Sequence, residues 1–117
     1  MTKYEIEKQK SLALAGLVGW ELQNSRLLPS QPPCIYHNAG AVECLMLDPY
    51  NDTDRNGLAQ FAAILLKFPE AMACQFSTVC LSDGSMLTRN TPVKPTQANI
   101  LDEILKLNNK WQEEWND

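Results

Sequence analysis

The chain has 117 residues, 44% of them hydrophobic and 21% charged, which fits one globular domain over residues 1–117 and not a disordered chain. Ten Lys plus Arg against fourteen Asp plus Glu leave a net charge of −4, the wrong sign for a protein that grips nucleic-acid phosphates directly. The excess is also too small for a mimic of DNA.

The first segment, Thr2 to about Val18, opens with Thr2-Lys3-Tyr4-Glu5. This is a capping box, in which Thr2 and Glu5 satisfy backbone donors at a helix start. Ile6, Lys10, Ala13, Leu14, Leu17 and Val18 follow at helical spacing, with Lys10 the one polar break. Gly19 is placed to end the helix in a left-handed turn. Lys3, Lys8 and Lys10 precede an apolar run, as in a secretory leader. However, Glu5 and Glu7 interrupt the positive charge, and no small-residue cleavage site follows. The run is also shorter than the roughly 20 residues of a membrane span, so a cytoplasmic protein is expected.

Pro29, Pro32 and Pro33 mark a connection, because proline fixes φ and donates no hydrogen bond. Cys34–Tyr36 is a candidate short strand. Residues 39–47 suit either a short helix or a strand. Asp48-Pro49-Tyr50-Asn51-Asp52 has loop composition. A second helix is expected with Leu58, Phe61, Ala62, Leu65 and Leu66 on one face, closed by Phe68-Pro69. Met72, Cys74, Phe76, Thr78 and Cys80 alternate with their neighbours and predict a strand. Ser82-Asp83-Gly84-Ser85 turns it into a second strand, Met86–Thr91, to make a hairpin. Thr96 caps a third helix whose stripe is Ile100, Ile104, Leu107, Trp111 and Trp115. The order helix, extended region, helix, hairpin, helix predicts an α+β fold, a small and mostly antiparallel sheet packed with three helices.

Few residues have the spacing that chemistry needs. Asp52-Thr53-Asp54-Arg55-Asn56-Gly57 reads as the first half of a calcium loop, but the twelfth position is Ala63, which has no oxygen to offer. The plainer reading makes Asp52, Thr53 and Asp54 cap and first-turn residues, whose charge suits a helix N-terminus. Cys34 and His37 form the only close Cys–His pair, with Cys44 as a possible third zinc ligand and no second pair to close a site. The four cysteines, Cys34, Cys44, Cys74 and Cys80, are expected to be mostly buried thiols. His37 is the only histidine, so any enzyme of the Ser–His or Cys–His kind must converge on it. There is no G-x-S-x-G elbow and no glycine-rich phosphate cradle. No cofactor and no metal are expected. Trp115 and Tyr50 are the aromatic candidates for contact with a partner.

Four segments together resemble the phage alpha-beta-alpha (ABA) sandwich domain family. These are the helix ending in Gly19-Trp20, the stretch Cys34-Ile35-Tyr36-His37-Asn38-Ala39-Gly40-Ala41-Val42, the turn Asp48–Asp52 with its apolar helix to Phe68, and the helix opening Thr96-Gln97-Ala98. The resemblance implies a phage or prophage accessory protein with a sheet between helix layers, and it implies no catalytic residue. The expected function is non-enzymatic: binding to a host protein, such as a nucleic-acid-binding defence complex, as inhibitor or modulator. The expected contacts are Asp48, Tyr50, Asp52, Asp54 and Trp115. Direct binding to nucleic acid or to a membrane is not expected. The rival readings are a small cysteine-dependent enzyme using Cys34 and His37, and a homo-oligomer joined through the Trp115 face.

Overall fold

A computed structural model describes residues 1–23, 34–36, 45–80, 82–88 and 92–116. Helix α1 is Lys3–Val18. Its capping box forms as expected: the Glu5 N–H donates to Thr2 Oγ1 over 3.2 Å, and the Thr2 N–H donates to Glu5 Oε2 over 3.3 Å. Gly19 ends the helix at φ 76°, a left-handed conformation that costs glycine nothing. Ser11, Leu14, Ala15 and Val18 form its buried face. The Ser11 hydroxyl is satisfied by the Glu7 carbonyl at 2.7 Å.

Three short strands follow, β1 Glu21–Gln23, β2 Cys34–Tyr36 and β3 Leu45–Met46. They form an antiparallel ladder in the order β1-β2-β3, with Glu21 opposite Tyr36 and Cys34 opposite Met46. Of residues 39–47, the end is thus extended, and 39–44 lie outside the described residues.

Helix α2 is Arg55–Lys67, capped by Asp54, whose Oδ1 accepts the Gly57 N–H at 2.8 Å. At its other end the Lys67 ammonium donates to the Val18 carbonyl over 2.8 Å, which supplies a partner for the last turn of α1. The expected inner face is rotated. Gly57, Gln60 and Ile64 are buried, with Phe61 and Leu65 half-buried, while Leu58, Ala62 and Leu66 face outward. Gln60 goes inside because its amide finds partners there: it accepts from the Asp48 N–H at 2.8 Å and donates to the Met46 carbonyl at 2.7 Å. A buried polar group with its bonds made costs little.

The strand expected from Met72 to Cys80 is only partly a strand. Pro69–Gln75 is a 3-10 helix, and extended structure is confined to β4, Thr78–Cys80. Pro69 starts the 3-10 segment. A period of three then buries Ala71 and Cys74 completely, leaving Met72 42% and Phe76 56% exposed. β4 pairs with β5, Met86–Thr88, as an antiparallel hairpin. Gly84 sits at φ 86° in its turn, and the Asp83 carboxylate accepts from the Ser85 hydroxyl and N–H. Those two bonds hold the Asp83 carboxyl below its usual range.

Helix α3 is Gln97–Leu107, with Thr96 as its cap through a 3.2 Å bond from the Asn99 N–H. It stops before both tryptophans. Asn108 bonds back to the Ile104 carbonyl at 2.7 Å, and Asn109 adopts φ 57°. Trp111 and Trp115 therefore do not extend the helical stripe. Trp115 closes the 3-10 turn Glu113–Trp115, and its indole N–H donates to Gln9 Oε1 of α1 over 2.9 Å. Its ring meets Trp111 edge to face at 5.5 Å.

These placements overturn the α+β expectation of a small, mostly antiparallel sheet packed with three helices. The fold is mostly helical. The main buried cluster is Leu14, Val18, Ile64, Ala71, Cys74, Ile100, Leu101, Ile104, Leu105 and Trp115, all from helices and 3-10 segments. Each buried Leu or Ile there contributes about 1.5–3 kcal/mol. Strands of two or three residues offer one or two side chains per face, too few to floor a core. Among the described residues, the β1-β2-β3 ladder meets the helices through a satellite cluster of Ala15 and Leu47 with Trp20 and Leu22, and through the Met46 carbonyl, which accepts from Asn56 and Gln60 of α2.

Candidate functional site

The turn between β3 and α2 carries most of the residues expected to make contacts, and Asn51 organises it. Its side-chain N–H2 donates to Asp48 Oδ2 at 3.1 Å and to Asp54 Oδ2 at 3.2 Å. Its side-chain oxygen accepts from the Thr53 N–H at 2.9 Å and the Thr53 hydroxyl at 2.7 Å. From α3, Gln97 donates to the Pro49 and Asn51 carbonyls at 2.8 and 3.0 Å. From α2, Gly57 comes so close that a Cβ on it would stand 2.1 Å from the Asn51 carbonyl oxygen. The turn is thus braced by its own side chains and by two helices.

This geometry gives the acidic residues separate tasks. Asp54 caps α2 with one oxygen and takes Asn51 with the other. Asp48 is half-buried and holds Asn51. Asp52 and Asp54 are exposed. Ala63 points outward on α2 with no ligand atom to offer, so the calcium-loop pattern serves here as a cap. Among the described residues, no group of three or more His, Cys, Asp or Glu is placed to hold a metal ion. Cys74 is buried and Cys80 exposed, while His37 and Cys44 lie outside the described residues.

Tyr50 points into the molecule. It packs against the main core, and its hydroxyl donates to Asp102 Oδ1 of α3 over 2.7 Å. Burial pushes its phenol pKa far up, and the Asp102 charge, the hydrogen bond to Asp102 and the Glu7 charge add to the shift. The hydroxyl therefore stays protonated and serves as a donor, not a base. Asp102 also pairs with the Lys10 ammonium at 3.2 Å. Lys10 in turn lies 5.7 Å from the Tyr50 ring centre and 4.6 Å from that of Trp111, whose ring also receives Lys106 at 4.6 Å. Lys10, the polar break in the α1 stripe, is thus the hub of a charge and aromatic network. A cleft of about 350 Å³ opens beside it, lined by Ile6, Glu7, Lys10, Tyr50, Asp102 and Trp115 among others.

The structure places two of the expected contact residues against the interior. Trp115 is 4% exposed, and its indole N–H donates to Gln9 Oε1. The Tyr50 hydroxyl is likewise committed inside the molecule, to Asp102. The fold brings Tyr50 and Trp115 to one cleft, while Asp52 and Asp54 remain at the surface. Sequence reading missed Asn51, Gln60, Gln97 and the Lys10–Asp102 pair. Only Asn51 had a local signal, since Asn in an Asp-rich turn commonly bonds the backbone two residues on. No single described helix is long and apolar enough to cross a membrane.

No protein-family model, no curated protein and no solved structure matches this chain.

Proposed function

We propose that the protein acts by contact with another protein, as a small cytoplasmic accessory protein of phage or prophage type that binds and modulates a host protein. The observation that carries this reading is the turn braced by Asn51, in which Asp52 and Asp54 are exposed. A contact surface that is already ordered loses little entropy on binding. Its acidic character and the net charge of −4 favour a basic partner surface, such as the groove of a nucleic-acid-binding complex. Acid meeting base in this way raises the association rate and excludes wrong partners more than it adds affinity.

The test is capture from host lysate with the immobilised protein, beside an Asp52→Asn, Asp54→Asn double variant. The expected result is a basic protein retained by the parent, released as salt is raised, and retained poorly by the variant. Equal retention by both forms would remove the acidic turn from the contact.

A further inference from the structure

The cleft beside Lys10 holds charges that the fold does not use. Lys3, Ile6, Glu7 and Lys10 recur at helical spacing along α1, so one face of that helix lines it. Lys10 is engaged by Asp102 at 3.2 Å, with both side chains largely buried. Lys3 is exposed and Glu7 half-buried, and among the described residues neither has an ion pair or a hydrogen bond at its charged end. A lysine one turn before a glutamate is the weaker order for a helical pair, so these two charges have little hold on each other. The remaining walls are apolar. They include Ile6, Ala98 of α3 and the ring of Trp115, whose indole N–H is already bound to Gln9. The volume, about 350 Å³, lies at the small end of the range for ligand pockets.

We infer that the cleft binds a free α-amino acid with an apolar side chain, its ammonium on Glu7, its carboxylate on Lys3 and its side chain against Ile6, Ala98 and Trp115. A few placed polar groups in an otherwise apolar wall are the ordinary make-up of a small-molecule site. The charges lining the cleft balance, Lys3 and Lys10 against Glu7 and Asp102. With the Lys10–Asp102 pair satisfied, one cation and one anion are left over. A ligand that is only a cation meets the like charge of Lys3, and one that is only an anion meets that of Glu7. A zwitterion answers both. The Glu7 charge reaches into the cleft, since it adds to the upward shift of the Tyr50 phenol. Phosphorylated ligands fit less well, because Glu7 and Asp102 both oppose them. The site uses neither Asp52 nor Asp54, so it stands independently of the protein contact proposed above.

Amide chemical-shift titration of the full chain with leucine, methionine and phenylalanine tests it, since it reads affinity and location together. At least one of the three should give saturable shifts at Glu7, Tyr50, Ala98 and the Trp115 indole. Leucinamide, which lacks the carboxylate, and isocaproate, which lacks the ammonium, should each bind about tenfold more weakly than leucine. Lys3→Gln and Glu7→Gln should each weaken leucine by about the same factor, with melting temperatures like the parent's because both charged ends are unpaired. Lys3→Gln should leave the affinity for leucinamide unchanged, and Glu7→Gln that for isocaproate, which pairs each side chain with one end of the ligand. No saturable shift at these residues with any of the three amino acids up to roughly 10 mM overturns the inference. So does binding of leucinamide or isocaproate as tight as that of leucine, or leucine binding indifferent to both substitutions.

Discussion

The Tyr50 hydroxyl donates to Asp102 Oδ1 over 2.7 Å, joining a turn residue to a helix 52 positions further along the chain. Asp102 takes the Lys10 ammonium as well, so one carboxylate ties α1, the β3–α2 turn and α3 together. The pair is largely out of solvent, with side-chain exposures of 12% for Lys10 and 23% for Asp102.

Removing Asp102 is expected to cost more than removing the bond from Tyr50. Asp102→Ala leaves the Lys10 charge without its carboxylate and should destabilise the fold by about 3–5 kcal/mol. Tyr50→Phe removes one hydrogen bond to a charged acceptor and should cost about 1.5–3 kcal/mol. Urea titrations of the two variants against the parent give both numbers.

Alkaline pH should act through Tyr50. Its pKa in the folded chain is raised above the ordinary value of 10.0, so the stabilisation is fully present below that pH and is lost as pH rises beyond it. In an ultraviolet titration, Tyr50 should ionise only as the fold opens. In Tyr50→Phe that late component should vanish.

Gly57→Ala should destabilise the protein although alanine is the better helix former. The propensity gain is about 1 kcal/mol. Against it, the new Cβ would stand 2.1 Å from the Asn51 carbonyl oxygen, so backbone has to move. Overpacking of this kind costs about 1–3 kcal/mol or more. A lower melting temperature, with faster amide exchange in the Asp48–Asp54 turn, is the expected outcome.

Asn51→Ala should loosen the turn without unfolding the chain. It deletes the side-chain bonds to Asp48, Asp54 and Thr53, most of them exposed, at a cost of about 1 kcal/mol. Amide exchange at Thr53 should speed up while the helical circular dichroism stays constant. Affinity for the captured partner should fall, because the loosened turn has to be ordered again on binding.

Local signals along the chain were sufficient for the starts of α1 and α3, and they narrowed that of α2 to Asp52–Asp54. Thr2, Asp54 and Thr96 cap their helices through bonds to residues three positions on, and such contacts need no tertiary structure. Gly19 and Gly84 mark turns for the same reason, since a positive φ is a property of one residue. Which face of α2 turns inward was not written in its hydrophobicity. Gln60 and Gly57 displaced Leu58, Ala62 and Leu66 because the Asp48 N–H and the Met46 carbonyl needed a partner and the turn needed room.

The segment after Pro69 shows the same division. An alternating pattern and a three-residue pattern both fit Met72–Cys74, and only packing against the helical core selects the second, which buries Ala71 and Cys74. Trp115 likewise shares a helical spacing with Ile104 and Trp111, yet its indole is fixed by Gln9, 106 residues earlier. The sequence by itself determined caps, turns and the existence of three helices, because those depend on neighbours within a few residues. The tertiary structure decided the burial of Gln60, the binding of Tyr50 and Lys10 by Asp102, and the apolar face left open on α2. Each of these depends on partners brought together from distant parts of the chain, which no local spacing encodes.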